Sequence, residues 1–183
     1  RNVCVGVESG SAIIRKDILK RNYKDEDVLR VFRLAHEHNI RCSSFNIIGL
    51  PQETRDDIFR TIELNRQANP ASATVTFFHP YRGAPLRELC IKEGYIDKND
   101  SKHEDVYRTE SQLTMPQISR KELKGLMQSF QLYMKLPKDR WHLIAEQEDL
   151  SSKQAQKIRK EIVLPEFREI ESKAPSWDFT KKT

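Results

Sequence analysis

Cysteine is scarce in this sequence. Cys4, Cys42 and Cys90 are its only three, and they lie too far apart for a disulfide framework or a Cys-x-x-Cys metal site. A reducing, cytoplasmic compartment is the simpler expectation. No apolar run is long enough to span a bilayer, and the chain does not open on a charged-then-apolar targeting segment. A soluble protein without a membrane partner is expected. The formal net charge is +5 and the pI about 9.1, yet no basic run carries interleaved aromatics. Basic and acidic residues alternate, as on solvated helix faces, which argues against a nucleic-acid partner. His36, His38, His103 and His142 lack metal-ligand spacing, so no metal ligand is assigned.

Against these absences stand clustered, periodic apolar residues, 37% of the chain beside 32% charged, enough for a thin core. The β-branched run over residues 2–7 reads as a strand buried on both faces. Ser11 can cap a short helix to about Leu19, and a second helix starts near Asp25 with Val28, Val31, Phe32 and Ala35 on one stripe. A second strand spans residues 41–49, and Thr54 with Asp57 caps the helix of Ile58, Ile62 and Leu64. A third strand covers residues 73–78, with Pro85 opening a helix towards Gly94. Ser119 and Glu122 form a capping box ahead of an apolar stripe of Leu123, Met127, Phe130 and Met134; further helices are expected near residues 138–146 and 151–169. The expected organisation is three βα units over 1–96, a linker over 97–116, a helical accessory region over 117–171 and a loose tail over 172–183.

Strands that alternate with helices at such intervals form parallel sheets, and their carboxyl ends share one edge. Ligands bind at that edge in βα architectures. Three strand ends thus become candidate site positions. Glu8, Ser9 and Gly10 end the first, with Glu8 either a ligand acceptor or a local helix cap. Gly49, Leu50 and Pro51 end the second, as ligand-lining backbone or a purely structural turn. His79, Tyr81 and Arg82 follow the third; a histidine in a turn is more often a local hydrogen-bonding residue than a catalytic one, and no catalytic residue is assigned.

The strings Val5-Gly6-Val7-Glu8-Ser9-Gly10-Ser11, Ile18-Leu19-Lys20-Arg21, Phe45-Asn46-Ile47-Ile48-Gly49-Leu50-Pro51-Gln52-Glu53-Thr54 and Pro80-Tyr81-Arg82-Gly83-Ala84-Pro85-Leu86, in that order, resemble the second half of the radical S-adenosylmethionine (SAM) core. The likeness is greatest to the group that often carries an amino-terminal cobalamin-binding domain. It covers roughly residues 1–90. The resemblance implies an α/β fold, the C-terminal half of a partial (β/α)6 TIM-like barrel with parallel strands, followed by a helical extension. It also implies SAM as cofactor, a [4Fe–4S] cluster whose ligands lie outside this chain, and cobalamin as an option for the full-length protein. Glu8 would accept polar groups of SAM, and Arg21, with Lys20 as rival, would pair with its carboxylate. The turn at Gly49 would line the adenine pocket, and His79 and Tyr81 would stand on the adenine or substrate side. Many relatives place an aspartate for the SAM ribose where this chain has Phe45, and Asn46 beside it should point to the opposite face.

Two functional readings follow. The first is the SAM-binding half of a radical SAM enzyme, inactive until joined to the missing N-terminal half of the same polypeptide, with the substrate unknown. The alternative is a non-catalytic module of βα units and helices that binds a protein or nucleic acid through its basic helices. Unpaired strand edges also predict a homodimer through the sheet, or a neighbour bound along it.

Overall fold

A computed structural model describes residues 2–99 and 109–173. His103, much of the expected linker and nearly all of the expected tail lie outside the described residues. Strands β1 (Asn2–Glu8), β2 (Arg41–Ile48) and β3 (Ser72–Phe77) form one sheet in the order β1-β2-β3. Both pairings are parallel, with Gly6 opposite Phe45 and Phe45 opposite Thr74. Helices α1 (Asp25–Glu37), α2 (Arg55–Ala68) and α3 (Pro85–Lys92) follow the strands in turn. The chain is therefore α/β, with three parallel strands in an open sheet, consistent with a partial TIM-like barrel. Helices α4 (Arg120–Lys135), α5 (Trp141–Glu146), α6 (Lys153–Ile158) and α7 (Leu164–Lys173) complete the described chain, the last two joined by a π-helical turn, Arg159–Val163.

Side chains alternate across a strand, and this sheet uses its two faces unequally. Val7 and Cys42 pack with Val28, Phe32 and Ala35 of α1 and with Leu64 and Ala68 of α2. Ile48, Ala73 and Phe77, on the same face, join Ile58 and Ile62 of α2 and Leu123, Leu126 and Phe130 of α4. Helices α1, α2 and α4 thus cover one side of the sheet. The opposite face carries Cys4, Gly6, Phe45 and Thr74, all exposed, with Ser43 buried and Ile47 half-buried beside them. For β1 this corrects the expectation of a strand buried on both faces. Among its residues only Val7 is buried; Cys4 and Gly6 are exposed on the open face, and Val3, on the helix side with Val5 and Val7, is still 44% exposed, because β1 is the edge of the sheet.

Local signals decide where the elements begin and end. Thr54 Oγ1 accepts from the Asp57 amide at 3.3 Å and Asp57 accepts from the Thr54 amide at 3.0 Å, so the capping box starts α2. Ser119 and Glu122 do the same for α4. Pro85 opens α3. Of the α1 stripe, Val28, Phe32 and Ala35 are buried, while Val31 is 42% exposed because it falls at the stripe's margin.

The core crosses the boundary expected at residue 96. Helix α4 packs on α2 and β3, and Arg66 of α2 donates from Nη1 to the carbonyls of Tyr133, Met134 and Leu136 at 2.7, 2.9 and 2.7 Å. One guanidinium so satisfies carbonyls that the end of α4 leaves without an intrahelical partner. Arg55 binds Glu148 in a fork at 3.0 and 2.7 Å, and Tyr133 donates to the same carboxylate at 2.5 Å. Ser111, Gln112, Leu113 and Met115, within the stretch expected to be linker, are buried.

The two faces predict opposite costs for removing a phenyl ring. Phe130→Ala, in the core, should destabilise by about 3–5 kcal/mol in urea titration. Phe45→Ala, on the open face, should cost less than about 1 kcal/mol.

Candidate functional site

The parallel ladder places the three strand ends side by side. Glu8 pairs with Asn46, the turn 49–54 leaves β2 two residues beyond, and the Phe78 amide donates to the Ile48 carbonyl at 2.8 Å. Adjacent strands lie ~4.8 Å apart, so the span from the end of β1 to that of β3 is roughly 10 Å. The candidate positions on the three strands therefore share one edge, although they are not equally available there.

Glu8 is the half-buried acid of that edge. Its backbone is left-handed, with φ 56°, which is uncommon for a residue other than glycine and concentrates at functional sites. Burial raises its carboxyl above the ordinary glutamate value, and the charge of Arg21 opposes that rise. Arg21 and Lys20 are both exposed. Arg21 is the one of the two whose charge acts on Glu8. The Tyr23 hydroxyl donates to the Val7 carbonyl at 2.6 Å. Burial pushes this phenol up to about 12; Arg15 opposes the shift and Glu8 adds to it. Arg15, nearly fully buried, donates to the Ser9 carbonyl at 2.8 Å, pairs with Asp25 and lies 5.2 Å from the centre of the Tyr23 ring. Sequence reasoning passed over Arg15 and Tyr23, because an arginine in a short helix and a tyrosine in a polar break carry no periodic signal that singles them out.

Ser9 and Gly10 turn the other way. The Gly10 amide donates to Thr61 Oγ1 at 2.7 Å, and Ser9 Oγ lies 3.4 Å from the same oxygen. A Cβ on Gly10 would fall 2.3 Å from the Arg60 carbonyl oxygen. The close approach that this glycine permits is to the backbone of α2, so Ser9 and Gly10, candidate positions by sequence, face the helix. Asn46 is spent on the helix side as well. Its Oδ1 accepts from Asn65 at 2.7 Å, and its Nδ2 donates to the Thr74 carbonyl at 3.1 Å and to Ser44 at 3.2 Å. Phe45 points to the open face at 44% exposure, so the opposition expected between neighbours 45 and 46 is present.

Gly49, Leu50 and Pro51 are buried. Gly49 has φ 73°, a left-handed conformation that favours glycine. One oxygen of Glu53 accepts from the amides of Gly49 and Leu50 at 2.6 and 3.2 Å. Those two donors hold the turn's shape and are not offered outwards. Glu53 is fully buried, and burial pushes its carboxyl up to about 8 against the pull of the two amides. At the third strand end, His79 and Tyr81 meet edge to face with ring centres 4.4 Å apart, Tyr81 being 50% exposed. Cys4 is exposed on the open face, Cys42 is buried towards α1 and α2, and Cys90 is buried in α3. They do not converge and do not fit a cluster's ligand set. Among the described residues no three His, Cys, Asp or Glu side chains could hold a metal together, and no helix is long and apolar enough to cross a membrane.

Comparison with known proteins points in the direction of the motif strings. Residues 1–64 match the Radical SAM superfamily. A probable threonylcarbamoyladenosine tRNA methylthiotransferase of Archaeoglobus fulgidus is 30% identical over 101 residues, 54% of this chain and 23% of that protein. A cytidylyl-2-hydroxyethylphosphonate methyltransferase of Streptomyces wedmorensis is 23% identical over 112 residues, 58% of this chain and 21% of that protein. The chain thus spans less than a quarter of the length of the curated relatives that it matches. The matched segment, 1–64, runs from β1 into α2 and includes Glu8, Arg21 and the Gly49 turn.

Glu53 carries a stability prediction whose sign follows from its raised value. A carboxyl held at about 8 when folded and near 4.3 when unfolded contributes stability that is fully present below the unfolded value. That contribution is lost as pH rises through the folded one. Glu53→Gln, which can still accept both amides, should flatten the decline in melting temperature between about pH 5 and 8. Glu53→Ala should destabilise by about 2–4 kcal/mol below about pH 5, since two buried donors lose their acceptor, and by less as pH rises towards 8.

Proposed function

We propose that this chain forms the SAM-binding side of a radical SAM enzyme and works when joined to a cluster-binding half of the same polypeptide. The observation that carries the reading is Glu8: a left-handed, half-buried carboxylate at the end of a parallel strand, with the charge of Arg21 acting on it. The similarity of residues 1–64 to the Radical SAM superfamily supports it. Glu8 accepts hydrogen bonds from polar groups of SAM, and Arg21 pairs with the SAM carboxylate. Tyr23 and Arg15 hold the end of β1 in place through the Val7 and Ser9 carbonyls. His79 and Tyr81 stand on the adenine or substrate side. The cluster on the adjoining half would supply the electron that cleaves SAM to methionine and a 5′-deoxyadenosyl radical.

The unpaired, exposed edge of β1 is where that half adds its strands, and pairing there removes an edge that would otherwise recruit a second copy. The chain by itself is inactive in this reading. The likeness to the cobalamin-binding group is kept as part of the proposal, and the cobalamin content of the purified full-length protein decides it. Several cations of the C-terminal helices are engaged within the chain, Lys121 with Asp149, Arg140 with Glu166 and Lys138 with Glu63, and salt-sensitive binding to a polyanion is the measurement that would favour the alternative reading.

The longer polypeptide containing this chain, reconstituted anaerobically with iron and sulfide, should release 5′-deoxyadenosine from SAM when reduced. The isolated chain should release none. Glu8→Gln and Arg21→Ala should each weaken SAM binding about 10-fold or more, the loss of a charge-assisted hydrogen bond. Unchanged SAM affinity in both variants, or no 5′-deoxyadenosine from the reconstituted protein, contradicts the proposal.

A further inference from the structure

Three glycines of the strand ends owe their identity to three different constraints. Gly49 needs its positive φ, and Gly10 must let the backbone of α2 pass. Gly6 has neither reason. It lies in an extended strand, its φ is not among the positive ones, and it is exposed. The only atoms within 4 Å of a Cβ placed on it belong to the side chain of Glu8, with Oε1 at 2.6 Å and Cδ at 3.4 Å. Cβ atoms do not tolerate the first of these distances.

The cause is local. The β1–β2 register slips between Gly6 and Glu8, and Glu8 then turns into the left-handed region. Together these fold the Glu8 side chain back along the strand, where an ordinary strand end would send it outwards. Position 6 alternates with Val5 and Val7, which pack towards the helices, so the carboxylate lies over the open face. There its strand neighbour is Phe45, which pairs with Gly6.

We propose that Gly6 is a positioning residue, whose bare α-carbon seats the Glu8 carboxylate on the open face where it meets the polar groups of SAM. The proposal rests on the reading of Glu8 given above and adds what fixes its geometry. An alanine here asks nothing of the backbone or of any other element; it displaces one flexible side chain. The charged and titratable groups that sense Glu8 are Arg21 and Tyr23, with Arg15 over the Tyr23 ring at 5.2 Å. None of them contacts residue 6.

The test is a double-mutant cycle on the full-length protein, read by equilibrium dialysis with SAM alone and by a carboxyl titration of Glu8 in carbon-detected NMR. Gly6→Ala should weaken SAM binding about 10-fold or more, as Glu8→Gln does, and should add little in the Glu8→Gln background. In Gly6→Ala the Glu8 carboxyl should titrate closer to an ordinary glutamate, because it is pushed into water. Its melting temperature should stay within a few degrees of the parent. Loss of affinity by the same factor in both backgrounds, no loss at all, or a large fall in melting temperature would each overturn the positioning role. If Glu8→Gln leaves SAM binding intact, the ligand reading fails. The carboxyl titration still decides separately whether Gly6 seats the side chain.

Discussion

The parallel ladder between β1 and β2, closed on one side by α2, is the constraint on which the rest of the arrangement depends. It aligns the strand ends at one edge, so that Glu8 stands beside the Gly49 turn. Helix α2 locks that alignment through two contacts far apart in sequence. The Gly10 amide reaches Thr61, and the buried chain of Ser44, Asn65 and Asn46 ties β2 to the same helix at 2.6 and 2.7 Å. Buried polar groups are costly unless each finds a partner. A slip of β2 by one residue would separate Asn46 from Asn65 and turn the strand's apolar set towards the open face.

With α1, α2 and α4 on one side, the other face of the sheet is covered only in part, Ser43 being buried and Ile47 half-buried on it, and Glu8 lies at its rim. Phe45 and Thr74 are exposed there, and Glu8 folds back over Gly6. The division of labour is physical. Residues that need rigidity, such as Ser9, Gly10, Asn46 and Glu53, are bound into the helix side or the turn. Residues left to meet a ligand keep exposure and charge. Glu53 is the clearest case of the first kind, since its buried carboxyl consumes the very amides that a ligand at the Gly49 turn would otherwise find.

Much of this fold was legible in the sequence, because its signals are local. Thr54 with Asp57, Ser119 with Glu122, and Pro85 each sit where the helix starts, and chemistry within a few residues suffices to read them. The burial of β1 was misjudged because a β-branched run looks the same in an edge strand as in a central one. Strand pairing alone decides which it is. At the site, Glu8 and the turn at Gly49 could be placed from motif spacing. Partners such as Thr61 for Gly10, or Glu8 for Gly6, could not, since one lies 51 residues away and the other depends on a register slip that composition does not announce.

The central claim is that a sulfonium nucleoside lies on the open face of the sheet, held by Glu8. The most direct measurement is a structure of the full-length polypeptide with SAM bound under anaerobic conditions. The account predicts polar atoms of SAM within hydrogen-bond distance of the Glu8 carboxylate, on the side away from α1, α2 and α4, with an added strand paired to β1. A ligand seated among the helices, or a Glu8 carboxylate that faces water with SAM bound elsewhere, would contradict it.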